Sequence, residues 1–421
     1  MTQYTTKSSN LKRGILRFSE VICKGLSRPT MKLMFQMIYG MLAAQSCHLS
    51  EIARVLDEKV KLKKTIERLS RNLAAFSGRE KLQENVMQKL KGCLSDWSIL
   101  IVDGGDITKP CSPEMEYIER VRDGSTGEYG NGYHTLSVTA LTPEKKMPIC
   151  VYSTVYSASE PGFISEDNEV LKALKFIGMH FKKSCIRAFD RGYDANIYYN
   201  HLISHGEKFI IRSKKNRSVI YKGDSVNILD LANRFKGKYL LKFKKKNGVE
   251  KDCKISIIPI SLPCKPNAEL NLVVCHGLGK DPLLLISNIK SDDNKLAVSI
   301  TKVYLMRWRI EEFYAFKKQQ FGLEDFRVRS LNSIRNLDMV LSIAIAYLGY
   351  MSADGEDRKT VMEIIAISKR IYTSPKFFFY ALADGLFVIF ARAKPGVSDL
   401  LKKTHKCVQL SLWPPPRFVP S

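Results

Sequence analysis

The apolar residues in the first quarter of the chain have helical spacing. Between residues 31 and 75 they recur every three or four positions, as on one face of an amphipathic helix. This spacing predicts a helix over residues 31–45 and a second, short helix capped by Ser50. A third helix carries its apolar face at Leu62, Ile66, Leu69 and Leu73. The first 30 residues are polar and basic, and we expect them to be loosely ordered.

From residue 97 the apolar residues form shorter runs that are typical of strands. The run 97–102 predicts a buried strand that ends in a turn at Gly104-Gly105, so that Asp103 lies just past the strand end. A second apolar strand stops at Asp190 in the same way, and Asp194 is predicted to cap the helix that follows. Carboxylates that follow strand ends occupy the edge where mixed sheets place their chemistry.

Several further elements follow from alternation and capping signals. A glycine-rich segment, 117–133, predicts a loop, and residues 133–141 and 147–157 predict an antiparallel pair of strands. Ser165 is predicted to cap a helix that ends near Phe181. More strands are predicted at residues 209–212, 239–245, 253–262, 270–275 and 283–287. The pattern becomes helical again beyond residue 300, with an almost wholly apolar helix at 337–351, so the chain is of the α/β class.

Composition narrows the partners and the compartment. The 421 residues suggest two or three domains, and 67 Lys and Arg against 42 Asp and Glu give a net charge of +25. That excess favours a polyanionic partner, most simply nucleic acid, although a ribosomal or membrane-surface protein can be equally basic. The ten cysteines show no paired short spacing, which is typical of reduced thiols. Without a signal-peptide pattern or an apolar run of membrane-spanning length, we expect a cytoplasmic protein.

One predicted helix, residues 304–318, concentrates unusual chemistry on one face. At 100° per residue, four polar side chains fall within an arc of roughly 60°. They are Tyr304, Arg307, Glu311 and Lys318. A carboxylate between two cations and a phenol suits a group that holds a metal ion beside a phosphate chain. Spacing alone favours an amphipathic surface helix with ordinary ion pairs.

The same segment carries a resemblance. Tyr-x2-Arg-x3-Glu-x6-Lys, with Trp-Arg-Ile-Glu-Glu-Phe in its middle, resembles the YREK signature of the DDE transposases of bacterial insertion sequences. The resemblance implies a ribonuclease-H-like mixed sheet with two upstream aspartates at strand ends, which Asp103 and Asp190 match. Taken alone, Asp103 can also be an ordinary aspartate of a turn, and Asp190 can be part of a structural salt bridge. Asp106 is a less favoured candidate for the first aspartate. The family more often has Thr after its first aspartate, where this chain has Gly104.

The resemblance further implies an activity, a cofactor and partners. It implies Mg²⁺-dependent cleavage at transposon ends and cut-and-paste strand transfer, with two Mg²⁺ ions, replaceable by Mn²⁺, bound by Asp103, Asp190 and Glu311. Tyr304, Arg307 and Lys318 would contact DNA phosphates. The partners would be double-stranded DNA, as terminal inverted repeats and target, and a second copy of the chain in a homodimeric synaptic complex. A hydrolytic metal nuclease on the same fold and a non-catalytic DNA-binding derivative are the alternatives.

The third predicted helix has a basic outer face that includes Lys61, Lys63, Lys64 and Arg68. These cations could follow DNA phosphates in a helix-turn-helix-like unit, or form the solvated face of a plain helical bundle. The resemblance favours the first interpretation. It predicts a helical DNA-end-binding domain at 1–92, a catalytic core at 93–205 and 280–350 and an inserted β-rich subdomain at 206–279. It also predicts a helical C-terminal region at 351–421, with dimerisation as its candidate role.

Overall fold

The computed structural model describes residues 3–96, 98–124, 126–144, 146–244, 250–290, 295–353, 358–368 and 377–401. The predictions for Trp97, Lys245 and much of the region after residue 351 therefore lie outside the described residues. The helices before the sheet are α1 (Gln3–Ile22), α2 (Arg28–Ala44), α3 (Leu49–Leu56), α4 (Leu62–Ala75) and α5 (Arg79–Leu90).

Two predictions for this helical region are wrong. The first 30 residues are not loosely ordered, because α1 is a regular helix that buries Leu11, Ile15 and Phe18 at helical spacing. Ser50 does not cap α3, since the helix begins one residue earlier and its N-cap is His48, without a side-chain cap. In both cases packing against neighbouring helices sets the boundary, and the local cap signal does not.

The central sheet contains both parallel and antiparallel strand pairs. Its first strands are β1 (Ile99–Thr108), β2 (Glu119–Arg122), β3 (Tyr129–Leu141), β4 (Pro148–Tyr156), β5 (Ile186–Phe189) and β6 (Lys208–Arg212). Strand β1 pairs antiparallel with β3, which pairs antiparallel with β4. On its other edge β1 pairs parallel with β5, and β5 pairs parallel with β6. The predicted mixed sheet of the α/β class is confirmed.

Strand β1 is longer than predicted. It continues through Gly104 and Gly105 to Thr108, because β3 pairs with it as far as Gly132. Asp103 therefore lies within a strand and not in a glycine turn. The predicted loop at 117–133 is also partly wrong, since it contains β2 and the start of β3.

Other local predictions are confirmed. Ser165 caps α6 (Glu166–His180) by accepting a hydrogen bond from the Asn168 backbone N–H at 3.1 Å. Asp194, however, does not cap α7 (Asn196–Ser204), whose N-cap is Ala195. The buried carboxylate of Asp194 instead accepts hydrogen bonds from the hydroxyls of Tyr199 and Ser213 and from the Lys214 backbone N–H.

The strands predicted between residues 209 and 287 are present and extend the same sheet. After β6, the chain forms β7 (Ser218–Tyr221), β8 (Asp224–Asn227), β9 (Tyr239–Lys244), β10 (Glu250–Leu262), β11 (Lys265–His276) and β12 (Leu283–Ser287), with α8 (Ile228–Asn233) between β8 and β9. Strands β7 and β8 and helix α8 were not predicted. Because β12 pairs with β6, and β11 and β10 follow, the sheet continues across residue 206.

The remaining helices cover the sheet and join the two ends of the chain. They are α9 (Leu296–Leu305), α10 (Arg309–Phe321), α11 (Leu331–Ala353), α12 (Arg358–Ile367) and α13 (Phe379–Ala391). The segment predicted as one helix at 304–318 is interrupted by a 3₁₀ turn, Met306–Trp308, between α9 and α10. Helix α11 packs on β4 and on α2 and α4, so the N-terminal helices share a core with the sheet.

Helix α11 is also the one described helix whose length and apolar composition would allow it to cross a membrane. The most apolar window of this helix is 83% buried inside the protein. Such burial is typical of a core helix.

Candidate active site

The register of two parallel strands places the two aspartates side by side. The last parallel pair between β1 and β5 is Val102 opposite Phe189. Asp103, which lies within β1, and Asp190, which directly follows β5, are the next residues, so both lie just past the last β1–β5 pair at the same level of the sheet. Two separate sequence signals 87 positions apart are therefore brought to one point by strand pairing.

Arg307 joins the first aspartate to the glutamate. Its Nη1 lies 2.6 Å from Asp103 Oδ2, and its Nη2 lies 3.0 Å from Glu311 Oε1. The guanidinium is almost completely buried, while the Glu311 side chain is 63% exposed. A fork-shaped cation thus holds two carboxylates from different elements.

Asp190 has its own partners. The Tyr304 hydroxyl donates a hydrogen bond of 3.1 Å to Asp190 Oδ1, and Arg212 Nη1 lies 3.7 Å from the same oxygen. Sequence reasoning missed Arg212. The signal for it was its position at the end of the strand that follows Asp190, since β6 pairs parallel with β5 and its end lies at the same edge.

Lys318 points to the same edge but binds other acids. Its Nζ lies 2.6 Å from Asp106 Oδ2 and 3.0 Å from Glu324 Oε1. Asp106, the less favoured candidate, is thus an ion-pair partner of Lys318 and also accepts a hydrogen bond from the Gly124 N–H. Tyr314, which the sequence analysis did not single out, donates a hydrogen bond of 2.7 Å to the main-chain carbonyl of Asp103.

The electrostatics of the site separate its two aspartates. Burial, opposed by Arg307 and reinforced by the charges of Asp190 and Glu311, raises the pKa of Asp103 to about 7. Burial also acts to raise the pKa of Asp190, but Arg307, the Arg191 N–H and the Tyr304 hydroxyl outweigh burial and lower it. Of the two aspartates, Asp103 therefore has the less stabilised charged form.

The donor chemistry fits a divalent cation. Three carboxylates supply the hard oxygen ligands that such ions take. Burial, together with the charges of Asp190 and Glu311, raises the pKa of Asp103, and a bound cation would stabilise its charged form. Arg307 Nε is buried and has no hydrogen-bond partner among the described residues. As they stand, no three acidic, His or Cys side chains in the described ranges are grouped as a metal site. The guanidinium between Asp103 and Glu311 would have to move for both to bind one ion.

The predicted DNA-binding cations of α4 lie elsewhere. Lys61, Lys63 and Lys64 are exposed, on or beside a helix that packs against α2, α3 and α11. Arg68 Nη2 lies 2.8 Å from Glu58 Oε2, and Arg68 also donates a hydrogen bond to Gln36.

Comparison with known proteins assigns the family. The family model described as "Transposase DDE domain" matches residues 95–348, which is more than half of the chain and includes all three acids. A cryo-EM structure of the piggyBac transposase synaptic complex with hairpin DNA is similar over 94% of this chain and 80% of that chain, at 10% identity and a TM-score of 0.45. The crystal structure of the NurA nuclease from Sulfolobus solfataricus covers 76% and 99%, at 10% identity and a TM-score of 0.22.

Both structural scores are too low to support an argument about this chain. The family match is a separate finding. It covers the sheet from β1 to β12 and the helices from α6 to most of α11. Divalent metal ions are the general cofactor of that family. The chain therefore belongs to the DDE transposases.

Proposed function

We propose that this transposase is of the YREK type and catalyses Mg²⁺-dependent cleavage at transposon ends, followed by strand transfer into target DNA. The observation that carries the proposal is the bridge from Asp103 through Arg307 to Glu311, with Asp190 next to Asp103 on the adjoining strand. The four residues of the motif make contacts at this edge. Tyr304 contacts Asp190, Arg307 contacts Glu311, and Lys318 contacts Asp106.

The carboxylates of Asp103, Asp190 and Glu311 would hold two Mg²⁺ ions, and Mn²⁺ would replace them. When bound, such ions activate an attacking oxygen and neutralise a leaving oxygen. Arg307 balances the charge of Asp103 and Glu311, and the same guanidinium can accept a phosphate as its partner. Tyr304 orients Asp190 by its hydrogen bond. Lys318 lies about two helical turns beyond Glu311, where it would contact the phosphate of an adjacent nucleotide.

Strand transfer distinguishes this proposal from hydrolysis alone. The inverted repeats that flank the coding region would supply the DNA ends. Pre-cut ends, incubated with the full-length chain, Mg²⁺ and a supercoiled target, should become covalently joined to the target. If the ends are only hydrolysed and never joined, the chain is a nuclease on a transposase fold.

Metal binding should become stronger as the pH rises, because Asp103 loses its proton. A carboxyl group with a pKa of about 7 must lose its proton before it can bind a cation. One such proton predicts that the half-saturating Mn²⁺ concentration falls about fivefold from pH 6 to pH 7, and less than about twofold from pH 7 to pH 8. The measurement is a thermal-shift titration of the free protein with MnCl₂. His201→Gln, on α7, is the control for a titrating group whose pKa is lowered by burial, and a flat profile in the wild type would contradict the assignment of Asp103.

We propose that residues 1–92 recognise the transposon end and that Lys61, Lys63 and Lys64 contact its phosphates. Because α4 shares a core with α11, substitution of the exposed lysines is a cleaner test than truncation. The triple alanine variant should bind the end about tenfold more weakly, and the slope of log affinity against log salt should fall by about 3. A mobility-shift titration at several salt concentrations measures both quantities.

The matched control for that experiment replaces three other exposed lysines, Lys172, Lys175 and Lys182, by alanine. It removes the same net charge from a region near α6. Equal losses in the two variants would show that only net charge matters, and would count against an end-binding surface on α4.

The remaining assignments belong to the same proposal. The catalytic core would comprise 93–205 and 280–350, with 206–279 as an inserted β-rich subdomain and 351–421 as a C-terminal helical region. Terminal inverted repeats and target would be the DNA partners. Two copies of the chain would pair in the synaptic complex, in a bacterial cytoplasm.

A further inference from the structure

Strand β1 and the segment around α10 are connected at three successive levels. Arg307 bridges Asp103 and Glu311 at the first level. The Tyr314 hydroxyl donates its hydrogen bond to the Asp103 carbonyl at the second. Lys318 pairs with Asp106 at the third. These links determine how far the glutamate helix lies from the aspartate strand.

The first and third links are ionic and open to competition. A cation bound by Asp103 and Glu311 would compete with Arg307 for their oxygens, and a DNA phosphate would compete with the acids for Arg307 and Lys318. The Tyr314 link is different, because its acceptor is a neutral main-chain carbonyl. Burial raises the pKa of Tyr314 well above its ordinary value, so the phenol remains a donor. Among these three links, Tyr314 is the one that persists when cation and DNA bind.

The tyrosine reaches the strand because of a glycine. A Cβ at position 105 would lie 3.3 Å from two ring atoms of Tyr314 and 2.9 Å from Thr135 Oγ1. Both contacts are tighter than ordinary van der Waals packing, so a Cβ there would require the Thr135 side chain and the Tyr314 ring to shift by a few tenths of an ångström. Close packing therefore accounts for glycine at position 105. Turn formation does not, since β1 continues through this residue.

We propose that Tyr314 is a positioning residue that fixes the separation between the Asp103 and Glu311 carboxylates, and that Gly105 permits its close approach. Tyr314 lies one helical turn after Glu311 and is bonded to the main chain of Asp103, so it couples the two residues directly. The proposal rests on the function proposed above, which assigns both carboxylates to metal binding.

The test is the variant Tyr314→Phe, which keeps the ring and removes the hydroxyl. Groups that orient metal ligands typically change metal affinity by about 10- to 100-fold when lost. We therefore expect the half-saturating MnCl₂ concentration in a thermal-shift titration of the full chain to rise at least about tenfold. Cleavage should show the same increase in its Mg²⁺ requirement. Gly105→Ala should produce the same shift by an independent route.

Tyr133→Phe is the matched control. Tyr133 is also buried, and its hydroxyl donates a hydrogen bond of 2.6 Å to a main-chain carbonyl, that of Glu116. A merely structural role predicts that both Phe variants lose thermal stability and keep the wild-type Mn²⁺ midpoint. That outcome for Tyr314→Phe would overturn the positioning role.

Failure of this inference can be told from failure of the proposed function. If wild type responds to Mn²⁺ and Asp103→Asn does not, the metal site stands, and an unchanged midpoint in Tyr314→Phe and Gly105→Ala then refutes only the positioning role. If wild type shows neither a Mn²⁺ response nor Mg²⁺-dependent cleavage, the proposed function fails and this inference fails with it.

Discussion

Asp103→Asn should reduce strand cleavage by about 1,000-fold, which corresponds to about 4 kcal/mol of transition-state stabilisation. Asparagine has the shape of aspartate but lacks the charge with which Asp103 would hold a cation beside Asp190 and Glu311. DNA-end binding should change little, because Arg307 and Lys318 remain. The measurements are single-turnover cleavage of a labelled transposon end and a mobility shift on the same DNA.

The substitution should not harm the fold. The folded pKa of Asp103 is raised, so the folded state binds its proton more tightly than the unfolded state, and stability falls as the pH rises from about 4 to about 7. Above pH 7 the neutral asparagine removes that penalty, and the thermal midpoint should be unchanged or higher.

Asp96→Asn is the control for Asp103→Asn. Asp96 is an exposed acid that pairs with Lys182 on the surface. The Asp96→Asn variant should cleave the transposon end at the wild-type rate. Cleavage by Asp103→Asn at more than about a tenth of the wild-type rate would remove Asp103 from the metal site.

Asp338→Ala should cost about 3–5 kcal/mol of unfolding free energy, which is the largest stability loss we expect from one substitution. Lys317 Nζ lies 2.5 Å from Asp338 Oδ1, and both side chains are 1% exposed. Ser342 accepts a further hydrogen bond from the ammonium, and Ser153 donates one to the carboxylate. Without the carboxylate, Lys317 is left charged inside the core that joins α10, α11 and β4. Urea unfolding at equilibrium measures the loss.

Two comparisons test the physical reason for that loss. The double variant Lys317→Met and Asp338→Leu removes both charges and should recover most of the stability, because a buried pair is costly chiefly when one partner is missing. Glu169→Ala breaks a more exposed ion pair with Lys172 and should cost less than about 1 kcal/mol. If Asp338→Ala falls in that lower range, Lys317 does not depend on Asp338 for its charge.

Both predictions change a residue that contacts α10, Asp103 through Tyr314 and Asp338 through Lys317. The polar side chains of α10 lie on two faces with different partners. Glu311 and Lys318 face the sheet edge that carries Asp103 and Asp106, while Lys317 faces the core and binds Asp338. Adjacent lysines therefore have different roles. Lys318 forms ion pairs that DNA phosphates can exchange, and Lys317 anchors the helix. The spacing of Tyr304, Arg307, Glu311 and Lys318 alone did not distinguish a binding face from an ordinary ion-paired surface.

The sequence by itself determined most of the local structure and the set of candidate residues. Five of the strands between 209 and 287 and the Ser165 cap follow from period and capping chemistry, which act over a few residues. The order of Asp103, Asp190 and Glu311 carried the resemblance to DDE transposases, and the family match confirms that family.

Only the tertiary structure decided what pairs with what. Strand β1 passes through Gly104-Gly105 because β3 supports it, and α1 is ordered because other helices cover its apolar face. Arg307 binds Asp103, Arg212 lies near Asp190, and Tyr314 bonds to β1 because elements far apart in the chain meet at one edge. Local patterns set the period of each element, whereas the partner of a side chain depends on packing between elements, which a short window of sequence does not contain.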